Sequence, residues 1–149
     1  MVKSKTRRQI VKATVLTAVP LLANSQSLND RQLAINRFTG GAQVNRGKVN
    51  LSIAKLIDNG NTVPVEVFVD SPMTSGDFVK KIALFSEKNP TSLMAQFDLS
   101  PANAVARIST RVRLASSQTV EAIAQFGDGS YWSAQVDVVV TLSACLEDE

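Results

Sequence analysis

The stretch Ala106-Arg107-Ile108-Ser109-Thr110-Arg111-Val112-Arg113-Leu114 alternates without a slip. Ala106, Ile108, Thr110, Val112 and Leu114 fall on one side; Arg107, Ser109, Arg111 and Arg113 fall on the other. A period of two means a β-strand with one face in a core and one in water. The same period extends outward along the chain. Before this stretch come strand candidates Lys48 to Ile57, Val63 to Val69, Phe78 to Ser86 and Ser92 to Leu99. After it come Thr119 to Phe126 and a long last strand from Trp132 to Leu142. Turn signals separate them: Asp58-Asn59-Gly60-Asn61, Asp70 to Asp77, Lys88-Asn89-Pro90, Ser100 to Asn103 and Gly127-Asp128-Gly129-Ser130. Pro64 suits an edge strand or the start of a central one. About seven short strands with regular breaks predict an all-β, immunoglobulin-like antiparallel sandwich. Only residues 26–38 read as helix, with Leu33, Ile35 and Phe38 apolar, Asn29 or Asp30 as a cap and Gly40-Gly41 as the stop.

The N-terminal 25 residues read differently. Lys3, Lys5, Arg7, Arg8 and Lys12 form a basic region without acids, followed by the apolar run Ala13 to Ala23. As a helix those eleven residues would rise about 16 Å, too short for a hydrocarbon core of about 30 Å. With small residues at Ala23 and Ser25, this is a signal-peptide layout. Arg7-Arg8 ahead of a mildly apolar run predicts twin-arginine export to the periplasm. The predicted organisation is a leader over 1–25, a helical segment and linker over 26–41, a sandwich over 42–142 and a C-terminal arm over 143–149.

Five of the 16 basic residues and none of the 13 acidic ones lie in residues 1–25. The rest therefore carries 11 basic against 13 acidic residues, about −2. A basic footprint for nucleic acid is absent from that part. The remaining 124 residues make one domain, long enough for a core of its own. There is one cysteine, Cys145, and no histidine. Nucleophilic triads and dyads that need an imidazole base are excluded, and no cluster at metal-ligand spacing is present. No cofactor is expected. Export in the folded state without a cofactor predicts a partner subunit that has no signal of its own.

Two features carry the functional reading. The row Arg107, Arg111 and Arg113 is either a solvated outer face, partly neutralised by Glu121 on the neighbouring strand candidate, or a docking face for an acidic partner or an anion. Cys145 follows the last strand closely, on a terminal arm. It is either a small apolar residue or a thiol kept for use; an idle exposed thiol is a liability in an oxidising compartment. A thiol on an arm can enter another protein's active site, and a carrier of that kind needs no general base.

Several fragments carry a family resemblance: Thr39-Gly40-Gly41, Gly47-Lys48-Val49, Ile57 to Pro64 (IDNGNTVP), Val69-Asp70-Ser71-Pro72-Met73, Asn89-Pro90, Thr110 to Ala115 (TRVRLA), Asp128-Gly129-Ser130 and Val140-Thr141-Leu142. Across the chain beyond the leader, the protein resembles the SoxY family of periplasmic thiosulfate oxidation. The resemblance implies a heterodimer with a SoxZ-like subunit, no membrane anchor and no catalysis of its own. It also implies sulfur intermediates held on Cys145 and presented to the enzymes SoxAX, SoxB and SoxCD.

The arm departs from the family pattern. Where the family has Gly-Gly-Cys-Gly-Gly, this chain has Ser143-Ala144-Cys145-Leu146-Glu147, then Asp148 and Glu149. Losing four glycines stiffens and widens the arm. The added carboxylates disfavour the thiolate and repel a thiosulfate dianion. Three readings follow: a sulfur carrier matched to acidic-arm enzymes, a SoxZ-binding interaction protein without cargo, or a cysteine for intermolecular disulfides.

Overall fold

The computed structural model describes residues 25–143. Its clearest strand is β4, Val63–Val69, whose residues alternate strictly between buried and exposed. Val63, Val65, Val67 and Val69 are all at most 2% exposed. Burying each contributes about 1.5–3 kcal/mol relative to leaving it in water. On one side β4 pairs along its whole length with β7, Ala106–Val112, from Val63↔Val112 to Val69↔Ala106. On the other it pairs with β2, Val49–Ser52. These three strands form one antiparallel sheet in the order β2-β4-β7.

The facing sheet has six strands. β5 (Val79–Ser86), β6 (Leu93–Asp98), β8 (Gln118–Phe126) and β9 (Tyr131–Val140) make its antiparallel body. The short strands β1 (Val44–Arg46) and β3 (Leu56–Ile57) both add to β9, in parallel. The order is β1-β9-β8-β5-β6, with β3 also on β9. Between the sheets, the valines of β4 join Ile82, Leu84, Val120, Ala122, Ala124, Val138 and Val140 in one core. The predicted all-β sandwich is the observed fold.

A helix adds a third layer. α1, Ser25–Thr39, lies on the outer face of the six-stranded sheet. Ile35 and Phe38 pack on Ala83, Phe85, Ile123 and Tyr131. The Phe38 ring meets Phe85 and Tyr131 edge-on, each at 5.8 Å. β5 and β8 are therefore buried on both faces, which removes the alternation expected of a half-exposed strand. Leu33 stays 52% exposed and takes no part in this core. α1 stops where Gly40 and Gly41 take φ of 64° and 82°, and the Gly41 N–H donates to the Asn36 carbonyl at 3.1 Å.

Three expectations change. The Lys48-to-Ile57 strand is two strands in different sheets: the chain crosses the sandwich at Ile53-Ala54-Lys55, between β2 and β3. β1 was not anticipated, being three residues long. With that addition and the split, the described residues hold nine strands. Pro64 stands at the start of a central strand, one of the two places expected for it; β2 pairs only with Glu66 to Val69, so Pro64 has no partner on that side. Finally, Asn29 and Asp30 lie within α1 rather than at its start.

Candidate functional site at the root of the arm

The last strand is held on both sides up to its end. Next to β3, the Thr141 N–H donates to the Ile57 carbonyl at 2.9 Å, and its hydroxyl donates to the Asp58 carbonyl at 3.0 Å. The Gly60 N–H donates to the Leu142 carbonyl at 2.8 Å, and the Gly60 carbonyl accepts from Leu114 N–H at 2.9 Å. On the other side, the Val140 N–H donates to the Ser117 hydroxyl at 2.9 Å. Thr141, Leu142 and Ser143 are exposed. Cys145 is two residues farther on and lies outside the described residues, as do Arg7 and Arg8.

A carboxamide pair braces this end. Asn89 Nδ2 donates to the Arg113 carbonyl at 2.8 Å, while Asn89 Oδ1 accepts from Ala115 N–H and Gln118 Nε2, both at 3.0 Å. Gln118 Oε1 accepts from Lys88 N–H at 2.8 Å. The β5–β6 turn is thereby tied to the connection between β7 and β8. Of these groups, the sequence flagged Asn89-Pro90 as a turn; Gln118, inside the polar run Ser116-Ser117-Gln118-Thr119, gave no signal.

Apart from Thr39-Gly40-Gly41 at the end of α1, the fragments on which the resemblance rests gather at two poles. IDNGNTVP, Asn89-Pro90, TRVRLA and Val140-Thr141-Leu142 meet at the arm root through the bonds above. At the far end of β4, the Asp70 N–H donates to the Lys48 carbonyl at 2.8 Å. There Lys48 Nζ sits 4.8 Å from the Phe126 ring and 4.9 Å from that of Trp132. Val79 N–H donates to Met73 Sδ at 3.3 Å, and Gly127 lies so close to Phe78 that a Cβ there would fall 2.5 Å from its ring. The Asp128 carboxyl is held below the ordinary aspartate value, chiefly by hydrogen bonds from Ser130, then by the charge of Lys48.

The arginine row does not stay one unit. Arg107 lies 4.0 Å from the Glu66 carboxylate, and its guanidinium rests 5.4 Å from the Phe68 ring centre. Arg111 and Arg113 have no carboxylate within 4 Å among the described residues; they line a groove with Asn89, Pro90, Thr91 and Met94 at the arm end. Glu121 does not neutralise the row. β8 is in the other sheet, and Glu121 is buried beneath α1 in a crevice with Arg31 and Gln135. Sequence neighbours were read as sheet neighbours, whereas the chain changes sheets between β7 and β8.

An apolar pair is exposed close by. Leu56 and Val139 are register partners across β3 and β9, 63% and 55% exposed. Among the described residues, no three His, Cys, Asp or Glu side chains converge, and no helix is long and apolar enough to cross a membrane.

A family model for sulfur oxidation protein SoxY matches residues 35–145, most of the chain and all nine strands. The chain belongs to the SoxY family. Family membership assigns it to sulfur oxidation of the Sox type. No curated protein sequence matches it. Among solved structures, the sulfur carrier protein SoxY from Chlorobium limicola f thiosulfatophilum aligns with a TM-score of 0.65 at 24% identity, covering 77% of this chain and 99% of that one. Superoxide reductase (neelaredoxin) from Ignicoccus hospitalis aligns with a TM-score of 0.56 at 17% identity, over 63% and 80% of the two chains. Superoxide reductase from Nanoarchaeum equitans aligns at 0.55 and 11%, over 64% and 100%. At these identities the structural likenesses concern the fold. The family match ends at Cys145 and so takes in the thiol.

Proposed function

We propose that this protein is a covalent sulfur carrier of the periplasmic Sox system, with Cys145 as the bearing atom and a SoxZ-like subunit as its permanent partner. The observation that carries the reading is the arm root. Backbone bonds grip β9 through Leu142, and the family match continues to a cysteine three residues beyond. A rigid body with a thiol just past its last anchor suits presentation to other proteins.

The chemistry requires little from the carrier. The thiolate joins the sulfane sulfur of thiosulfate, giving Cys–S–S–SO3⁻, and two electrons pass to a coupling enzyme of the SoxAX kind. Water then attacks the sulfonate sulfur on a SoxB-type hydrolase. Sulfate and two protons leave, and Cys–S–S⁻ stays on the arm for a SoxCD-type enzyme. Glu147, Asp148 and Glu149 oppose the first step. At roughly 7–10 Å in water each opposes the thiolate by about 0.5 kcal/mol, and less with salt. A thiosulfate dianion is repelled more strongly, so the coupling enzyme must present compensating positive charge. The protein itself acts as a carrier rather than an enzyme.

The glycine-free arm favours a second reading, a SoxZ-binding subunit that carries no sulfur. Intact-mass spectrometry separates the two after incubation with thiosulfate and the coupling enzyme. A carrier gains one thiosulfate unit on Cys145. An unmodified Cys145, alongside a glycine-armed SoxY modified in parallel, would reject carriage.

A further inference from the structure

Strand β6 closes the six-stranded sheet at the end opposite β1, and among the described residues no strand pairs with its outer side. The other open edges are short or charged: β1, β2 and β3 span three, four and two residues, and β7 carries Arg107 and Arg111. β6 reads Leu93-Met94-Ala95-Gln96-Phe97-Asp98, without proline or a basic side chain to deter a further strand. Its protecting bulge lies at the Leu93 end, and from Ala95 to Asp98 the ladder is regular. The Leu99 N–H donates to the Lys80 carbonyl at 2.9 Å. Hydrogen bonding alternates along an antiparallel pair, so Ala95 and Phe97 turn their backbone groups to β5, while Gln96 and Asp98 turn theirs away. Free N–H and C=O groups on every second residue are the template for strand addition.

A groove flanks this edge on each face. On the helix side it is bordered by Leu33, Phe38 and Leu93, with Leu33 and Leu93 exposed. Asp30 and Arg37 add one charge of each sign there, so that groove has no net charge. On the other face, Met94 shares a groove with Val112 and Arg113. Arg111 lines it too, but it also borders a second groove with Glu66, so the positive charge here rests on Arg113. Side chains of a strand added to β6 alternate between its faces and enter the two grooves in turn. The helix side accepts apolar side chains, and the Arg113 side accepts acidic ones.

From the free edge and its two unlike grooves, we infer that β6 takes an extended segment of another protein in which apolar and acidic residues alternate. The backbone of Gln96 and Asp98 holds the segment, and the grooves select its side chains. This surface is separate from the exposed Leu56–Val139 pair, because β6 lies three interstrand spacings, about 14 Å, from β9. The inference does not depend on what, if anything, Cys145 carries.

The probe is a synthetic hexapeptide of alternating leucine and glutamate, blocked at both ends and titrated into the isotope-labelled protein. Its binding shifts the Gln96 and Asp98 amide signals saturably. With the peptide at about ten times its dissociation constant, hydrogen exchange at those two amides slows about tenfold. A peptide of the same composition with leucines and glutamates in blocks does not bind, nor does the alternating peptide with all its backbone nitrogens methylated. R113E lowers the affinity for the leucine–glutamate peptide about tenfold and raises that for a leucine–lysine counterpart. The peptide comparisons use the unaltered protein and so are independent of any folding defect. No saturable shift, shifts confined to other residues, or equal binding of the block or methylated peptide overturns the inference. So does pairing of β6 with a second copy, seen as shifts of the same amides with protein concentration and a doubled sedimenting mass.

Discussion

Gln118 and Asn89 join their carboxamides at 3.0 Å, at the end of the sandwich from which the arm leaves. Asn89 Oδ1 accepts two donors there and its Nδ2 serves a backbone carbonyl. Replacing Asn89 with Ala strands the Ala115 N–H and the Arg113 carbonyl. The expected cost is about 1–3 kcal/mol, most of it from the part-buried Ala115 N–H left without its acceptor, since the Arg113 carbonyl is exposed. Chemical denaturation monitored by Trp132 fluorescence checks it; a loss below ~0.5 kcal/mol would show that water replaces the amide.

Lys48 at the other pole combines a left-handed backbone, φ 56°, with contacts to two aromatic rings. The backbone favours glycine at this position and the ring contacts favour a cation. Lys48→Met removes the charge but keeps the stem, and should cost about 0.5–2 kcal/mol. Lys48→Gly should cost less than Lys48→Ala, because only glycine relieves the backbone strain. Equal losses for the two variants would show that the strain is negligible.

Asp128 has a lowered carboxyl pKa, mainly from Ser130. A depressed folded pKa contributes stability above the unfolded pKa, and that contribution is lost as pH falls through the folded value. The window therefore lies below the ordinary aspartate range, in acid. In Ser130→Ala the Asp128 titration should move upward, followed by carbon-detected NMR of the carboxyl. A titration unmoved by the substitution would assign the shift to Lys48 instead.

Leu56 and Val139 expose an apolar pair beside the arm root. On the proposed heterodimer they offer a contact for the SoxZ-like subunit, since exposed apolar pairs are natural interface cores. Val139→Asp should lower the affinity for that subunit at least tenfold, roughly 1.4 kcal/mol, with an unchanged melting temperature. Unchanged affinity in titration calorimetry would place the interface elsewhere.

Arg7 and Arg8 precede the described residues, and the twin-arginine route proposed for them has a direct check. Replacing both with Lys keeps the charge and removes the guanidinium pair. Fractionation should then find the protein retained in the cytoplasm, together with any subunit that travels with it. Continued export of the double variant would assign the leader to another route.

The strands were legible in the sequence wherever one face was wet. β4 and β7 were read from alternation alone because water covers their polar faces. β5 and β8 were located, but their outward residues were not interpretable: the helix that buries Ala83, Phe85 and Ile123 lies far away in sequence. The switch between β2 and β3 was hidden because Val49, Leu51 and Ile53 continue the period through the crossing. At the site, the thiol stood out by composition. The division of the arginine row did not, because Glu66 meets Arg107 only through the β4–β7 register.

The anchoring of β9 has a mechanical consequence. On the proposed carrier role, an enzyme that pulls on the chain beyond Leu142 loads β9 from its C-terminal end. The ladder bonds to β8 and β3 lie across the strand axis, so many of them share the load. Force entering at that end would be spread over a ten-residue strand before any side chain in the core has to move.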